Sequence, residues 1–317
     1  MSIGNERPLV AILTPLHAPT LARLHATYDC RNLWDGAPDQ ASLAQVAERA
    51  EVLVTFSPRG VDAATIEALP RLRLVACFGV GVDAVDLDAC RARGIRVSNT
   101  PDVLTEDVAD MAMALMLATL RRIVVGDRHV REGRWLSGPM PLTTALSRKR
   151  VGIVGLGRIG LAIAERCAAF GCEIAWHGPR PKEGVAWPLN SDLRGLAAWA
   201  DVLVAACPGG PDTQGIISRG VIEALGPQGV FVNIARGSVV DEPALVEALV
   251  AGRLGGAGLD VFADEPRVPE ALFALDSVVL APHAASGTNE TRSAMGQLVL
   301  DNVAAWFAGR PLITPVA

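Results

Sequence analysis

Val151–Gly160 reads Val-Gly-Ile-Val-Gly-Leu-Gly-Arg-Ile-Gly. Val151–Val154 is a short apolar, β-branched run of the kind that forms a buried parallel strand. Gly155, Gly157 and Gly160 then fall at the G-x-G-x-x-G spacing, and Leu161–Phe170 has the pattern of the helix that follows. Each glycine has its own physical role. The first makes the tight strand-to-helix turn, the second lets a pyrophosphate approach the backbone, and the third lets helix and strand pack closely. The free N–H groups and positive dipole end of such a helix attract the pyrophosphate. A purely structural glycine turn has the same spacing, so the choice rests on the rest of the chain.

The chain has 317 residues, enough for two ordinary domains with separate cores. Half of its residues are hydrophobic, but the longest apolar helical run, Met111–Leu120, is too short to cross a bilayer. Met1–Val10 lacks a basic-then-apolar signal pattern, which predicts a cytoplasmic protein. The net charge of −5, with acids and bases interspersed, argues against nucleic acid as partner and for a small-molecule enzyme. The six cysteines form no C-x-x-C pair and are read as reduced thiols. The five histidines show no metal-ligand spacing, so no metal is expected.

Before residue 100 the chain alternates strand and helix. Strands are predicted at Leu9–Leu13, Val52–Phe56, Leu72–Phe78 and Ile95–Ser98, with a weaker one at Tyr28–Leu33. Helices are predicted at Thr20–Thr27, Ser42–Arg49, Asp62–Leu69 and Asp86–Arg93. This pattern is a small parallel α/β domain. Its Phe78-Gly79-Val80-Gly81-Val82-Asp83 follows a strand directly, and is read either as a tight turn or as a nest of backbone N–H groups for a carboxylate. Leu104–Val125 is predicted as one long apolar helix crossing between domains. Gly126–Arg150 is predicted as an irregular dimerisation arm. The second domain then has strands at Val151–Val154, Glu173–Trp176, Val202–Ala206, Val230–Ile234, Gly256–Asp260 and Val278–Leu280, the pattern of a doubly wound sheet. Thr288–Ala308 is a last helix, expected to return to the first domain. The boundaries so predicted are 1–99 with 287–317, and 100–286.

Ligands of open parallel sheets sit at the carboxyl ends of the strands. There Ile234 is followed by Ala235-Arg236-Gly237, Asp260 ends its strand ahead of Asp264-Glu265-Pro266, and Leu280 precedes Ala281-Pro282-His283. An arginine, a carboxylate and a histidine therefore leave three strands on the edge that carries the glycine turn. Together they suit the reduction of a keto acid by a nicotinamide cofactor. The carbonyl oxygen gains negative charge and needs a proton, which His283 can give. Glu265 favours the imidazolium and fixes the ring. Arg236 offers a planar fork for the carboxylate and the adjacent carbonyl. Asp260 is placed for the nicotinamide carboxamide.

Four segments carry a family resemblance: Gly155–Gly160, Val230–Asp241, Gly255–Pro266 and Pro282–Thr288. With them the chain resembles the D-isomer-specific 2-hydroxyacid dehydrogenases over nearly its whole length, and within them the NADPH-dependent glyoxylate/hydroxypyruvate reductase branch. The resemblance implies a Rossmann cofactor domain with a smaller flavodoxin-like substrate domain, and catalytic roles for Arg236, Glu265 and His283. It implies that the Val80-Gly81 backbone, with Arg236, holds the substrate carboxylate. It also implies cofactor contacts from Gly155, Gly157, Arg158, Ile159 and Gly160, from Cys207, Pro208 and Thr213, and from Ile234, Asp260 and His283. Implied too are a homodimer and a Trp135 or Pro139-Met140-Pro141 turn that reaches the neighbouring active site. Where this family often has glycine two positions after the histidine, this chain has Ala285.

Cofactor choice is read beyond Glu173–Trp176. An NAD site places an Asp or Glu about 20 residues past the glycine turn, on the ribose 2′-OH. Here the sequence is His177-Gly178-Pro179-Arg180-Pro181-Lys182. Arg180 and Lys182 would attract a 2′-phosphate, so NADP(H) is expected, with NAD(H) as the alternative. The expected reaction is reduction of glyoxylate or hydroxypyruvate to glycolate or D-glycerate. Two other readings share these residues: a dehydrogenase of D-lactate, formate or phosphite, and a cofactor-sensing corepressor-like protein.

Overall fold

The computed structural model describes residues 7–34 and 40–316; residues 1–6, part of the stretch read for a signal pattern, lie outside them. The chain divides into two compact units, Met1–Leu104 with Ser286–Ala317, and Thr105–Ala285. The sequence reading cuts at 99/100 and 286/287. The first cut moves because Val103 belongs with the C-terminal helix, its carbonyl accepting from Thr291 Oγ1 at 3.4 Å.

Unit 1 is a five-stranded parallel sheet in the order β2-β1-β3-β4-β5. Its strands are β1 (Leu9–Ile12), β2 (Asp29–Asn32), β3 (Val52–Phe56), β4 (Leu74–Phe78) and β5 (Arg96–Ser98). β1 and β4 are buried along their whole length, which is why they read as unbroken apolar runs. Helices Ala63–Glu67 and Leu87–Ala92 start where Asp62 and Asp86 accept from the backbone N–H three residues on, each at 2.8 Å. The last helix, Asn289–Phe307, is capped by Thr288 and lies in unit 1. Its Gly296 meets Thr20 so closely that a Cβ there would come within 1.9 Å of the hydroxyl oxygen.

Unit 2 is a six-stranded parallel sheet in the order β11-β10-β9-β8-β6-β7. Its strands are β6 (Arg150–Val154), β7 (Glu173–His177), β8 (Val202–Ala205), β9 (Val230–Asn233), β10 (Gly256–Leu259) and β11 (Val278–Leu280). Beyond β7 a single parallel bridge, Trp176 to Leu189, extends the sheet. From β6 the chain winds outward to β7 and this bridge, then returns to β8 on the other side. The order therefore reverses between β6 and β8, and that reversal opens a crevice at their carboxyl ends.

The long helix expected over Leu104–Val125 is broken. Thr105–Leu120 ends the buried segment, Arg122 adopts φ +48°, and a second helix runs over Ile123–Arg131. The first helix buries Val108, Ala112 and Met116, whereas none of the residues of the second is buried. The left-handed residue turns the chain out of the core. The arm is thus partly regular: after the second helix comes a 3₁₀ turn, Arg134–Ser137, and only then an irregular stretch. It is tied back by Arg121 Nε donating to Thr143 Oγ1 at 3.0 Å and by Thr144 N–H donating to Leu120 O at 3.1 Å.

Candidate active site

The glycine turn follows β6 at the crevice. Gly155 has φ +91°, and a Cβ on it would lie 2.5 Å from Cys207 Cα, so only glycine lets the ends of β6 and β8 come together. A Cβ on Gly160 would lie 2.1 Å from the Gly155 carbonyl oxygen. Gly157 has open space and caps the helix Arg158–Ala169, whose first turn closes with Leu161 N–H on Gly157 O at 2.9 Å. The amides of Arg158 and Ile159 thus lie ahead of the first helical bond. This glycine-led helix start fits a dinucleotide pyrophosphate.

Around it stand the other residues singled out for the cofactor. Cys207 is buried against Gly155, and burial pushes its thiol up to about 11, so it stays a neutral packing group. Thr213 Oγ1 donates to Pro208 O at 2.7 Å and shapes the loop after β8. Ile234 is buried just past β9. β7 pairs with β6 so that His177 lies opposite Val154, and Gly155 N–H donates to His177 O at 2.9 Å. Lys182 Nζ donates to Leu156 O, which sets this lysine directly on the glycine turn. Arg180 is exposed.

Arg236, Glu265 and His283 converge in unit 2. Asn233, the last residue of β9, donates from Nδ2 to Arg236 O at 2.9 Å and accepts the Ala235 N–H at 3.0 Å. Gly237 follows, and a Cβ there would meet the Phe262 carbonyl carbon at 2.0 Å. Its lack of a side chain lets the arginine turn lie against the loop after β10. In that loop Glu265 Oε1 accepts the Phe262 N–H at 3.0 Å, and Oε2 accepts from His283 Nδ1 at 2.7 Å. Burial pushes the Glu265 carboxyl up. The His283 and Phe262 hydrogen bonds and the positive charges of His283 and Arg236 outweigh this, and hold it below the usual carboxylate range. Glu265 is therefore an anion at neutral pH, Nδ1 carries a proton for it, and Nε2 is left as the nitrogen that can give one.

His283 sits at φ +50°, a backbone region rarely used by residues with side chains. Asp260 holds it there. The Asp260 carbonyl accepts the His283 N–H at 2.8 Å, and its carboxylate oxygens accept the Ala284 and Ala285 N–H groups at 2.7 and 2.9 Å. Asp260 is 0% exposed, and burial pushes its carboxyl up against these bonds. In this structure Asp260 fixes the histidine loop. The same bonds explain Ala285, whose amide is engaged with Asp260 rather than open to a ligand. An apolar cavity of about 300 Å³, lined by Phe262, Phe273 and Leu280, borders Glu265 and His283.

Val80 and Gly81 belong to unit 1. Asn99 Nδ2 donates to Val80 O at 2.8 Å and Ser57 Oγ donates to Gly81 O, so both carbonyls are held. Neither amide has a partner among the described residues. Sequence reasoning missed Asn233, Gly237 and Asn99. The first two lie in the quoted Val230–Asp241 run, and a polar residue ending an apolar strand was the available signal.

Residues 113–285 match the family profile described as the NAD binding domain of D-isomer specific 2-hydroxyacid dehydrogenase. The chain belongs to this family. Over 307 residues it is 51% identical to hydroxyphenylpyruvate reductase of Plectranthus scutellarioides, covering 97% of this chain and 98% of the relative. It is 47% identical over 307 residues to glyoxylate/hydroxypyruvate reductase A of Arabidopsis thaliana, with the same coverage of 97% and 98%. Among solved structures it resembles an NADPH-dependent glyoxylate/hydroxypyruvate reductase from Sinorhizobium meliloti in complex with NADP and malonate. That match has a TM-score of 0.93 at 43% identity, over 98% of this chain and 97% of that one. As a D-2-hydroxyacid dehydrogenase the chain is an oxidoreductase that uses NAD(P), and the glycine cradle is where its residues suit that cofactor. The matched lengths also bear on the fold: two parallel-sheet α/β units are the family's architecture.

Proposed function

We propose that this 2-hydroxyacid dehydrogenase reduces small 2-keto acids of the glyoxylate and hydroxypyruvate type, with NADPH preferred over NADH. The observation that carries the reading is the 2.7 Å hydrogen bond between Glu265 and His283, on the sheet edge that also bears the glycine cradle and Arg236. Bound NAD(P)H supplies the hydride for the keto carbon. His283 Nε2 gives the proton to the carbonyl oxygen. Glu265 compensates the imidazolium charge and fixes the ring. Arg236 holds the carboxylate through its planar fork and polarises the neighbouring carbonyl. In unit 1 the amides of Val80 and Gly81, with no partner among the described residues, suit a substrate carboxylate. Arg158, Arg180 and Lys182 supply positive charge for the 2′-phosphate, and no acid at the end of β7 opposes it.

The same reading includes a homodimer. Trp135, Leu136 and Leu142 of the arm are 65%, 95% and 101% exposed, an apolar surface suited to a second copy. The cavity beside Glu265 and His283 is of a size and lining that suit an aromatic side chain such as a partner's Trp135. The compartment proposed is the cytoplasm, in keeping with six cysteines that form no disulfide; no described helix is long and apolar enough to cross a membrane. Steady-state assay of glyoxylate, hydroxypyruvate, pyruvate and 4-hydroxyphenylpyruvate with both cofactors tests the reading. Highest kcat/KM for the first two with NADPH is expected. Cofactor binding without turnover of any keto acid overturns it.

A further inference from the structure

One polar side chain at the end of β7 has no part in the site described above. An NAD site carries its acid about 20 residues past the glycine turn, and that count reaches His177, the last residue of β7. The strand end is fixed against the cradle: His177 lies opposite Val154, and its carbonyl accepts the Gly155 N–H at 2.9 Å. It is fixed on its other side as well. Trp176 N–H donates to Pro188 O at 3.1 Å, Asn190 N–H donates to Trp176 O at 2.7 Å, and Trp176 Nε1 donates to Trp187 O at 3.1 Å. Residues 178–186, with Arg180 and Lys182, thus form a loop rooted at both ends on the tip of β7. His177 belongs to the root.

The His177 ring is half-buried and committed through one nitrogen. Nδ1 lies 2.9 Å from the Asn190 carbonyl oxygen, which only accepts, so Nδ1 carries the proton of that bond. Nε2 has no partner among the described residues. In the neutral ring Nε2 is therefore a bare acceptor, and in the imidazolium it is a second N–H donor on a positive ring. The two states suit different groups. A ribose 2′-hydroxyl can donate to bare Nε2. An ionised 2′-phosphate has only acceptors to offer, so it meets the neutral ring lone pair against lone pair and the imidazolium through a charge-assisted bond.

We propose that His177 is a specificity-determining residue that reads the 2′ position of the cofactor's adenosine ribose, its neutral ring favouring NAD(H) and its imidazolium NADP(H). The proposal deepens the cofactor reading above and rests on it for the place of the ribose. At this end of the sheet the glycine turn carries Arg158, the loop Arg180, Lys182 and Glu183, and the start of the helix Leu193–Trp199 carries Asp192 and Arg194. Side chains of these types keep their charge between about pH 6.5 and 8.5, whereas histidine changes its charge near there. The preference for NADP over NAD should therefore rise as pH falls. Protonation of the 2′-phosphate itself, near about pH 6, acts in the opposite direction because it removes charge from the ligand. Groups at the nicotinamide end, His283 included, meet the same chemistry in both cofactors and cancel in the ratio.

The test measures dissociation constants of NADP and NAD, without substrate, on wild type, His177→Asn and His177→Gln at about pH 6.5 and 8.5. Both variants keep an amide N–H for the Asn190 carbonyl and cannot change charge. In wild type the NADP-to-NAD affinity ratio is expected to rise by about tenfold on acidification, the scale of one charge-assisted hydrogen bond. In both variants it should stay flat or fall. Calorimetry in two buffers of different ionisation heat gives a second reading on wild type alone: net proton uptake with NADP and none with NAD. A wild-type ratio that is flat or falls on acidification overturns the proposal. A rise of equal size in the variants overturns it too, as does NADP binding without proton uptake. If wild type prefers NAD at both pH values, the NADPH reading fails separately, and the pH slope of the ratio still decides the role of His177.

Discussion

The two ends of the crevice in unit 2 are built differently. On the catalytic side Asp260, Glu265 and His283 are joined by short bonds to backbone and to one another, with a fully buried carboxylate beneath. On the side of β7, Arg180 and Lys182 are exposed, and among the described residues the tie from these two side chains is Lys182 Nζ on Leu156 O. The first arrangement fixes atoms to fractions of an ångström. The second presents charge on long, solvated stems. Rate should therefore depend steeply on the first, and cofactor preference shallowly on the second.

The largest separation between the two sides is expected from Arg236→Lys. Lysine keeps the charge but loses the planar fork, so kcat/KM should fall by about a hundredfold or more, the scale of a transition-state contact removed. Wild-type kinetics from the lysine enzyme would show that this side needs only charge. Asp260→Ala should come next. It leaves the Ala284 and Ala285 amides without acceptors, at about 1–3 kcal/mol each, and frees His283 from its left-handed backbone. A lowered urea midpoint together with lowered kcat is expected; stability lost with kcat intact would separate Asp260 from the histidine.

The acid limb gives a third comparison. The Glu265 carboxyl lies below its usual range in the folded protein, so it binds protons less readily than in the unfolded chain. Its contribution to stability and to the dyad is present above the ordinary carboxylate range and is lost as pH falls through the lowered value. Activity should therefore persist through the range in which an ordinary glutamate titrates. Glu265→Gln should remove that acid limb, and an unchanged limb in the variant would assign it elsewhere. The smallest effect is expected from Arg180→Ala, about tenfold in the NADPH-to-NADH ratio of kcat/KM and shrinking with added salt. An unmoved ratio would assign the 2′-phosphate to Arg158 and Lys182 alone.

The same contrast explains what the sequence made legible. β8, β9 and β10 are buried along their whole length and read as apolar runs, whereas the part-exposed β11 is legible from its β-branched Val278-Val279. Asp62 and Asp86 marked helix starts because a capping side chain is a local device. Arg236, Glu265 and His283 were visible because each follows a strand end, where the topology concentrates ligand chemistry. The break at Arg122 was not visible: a left-handed arginine between two apolar stretches has no sequence mark, and an exposed helix rich in valine resembles a buried one. The bonds from Asp260 to the amides of residues 284 and 285 were not legible, since spacing cannot tell that those amides fold back onto it.

The central claim is that His283 gives the proton from a site whose cofactor grip is separate. Single-turnover reduction of glyoxylate by NADPH, measured with the NADPH dissociation constant in wild type and His283→Ala, tests it most directly. The account predicts a rate lower by about 10²–10⁴-fold with NADPH affinity nearly unchanged. An unchanged rate, or a rate that falls only as far as cofactor binding does, would contradict it.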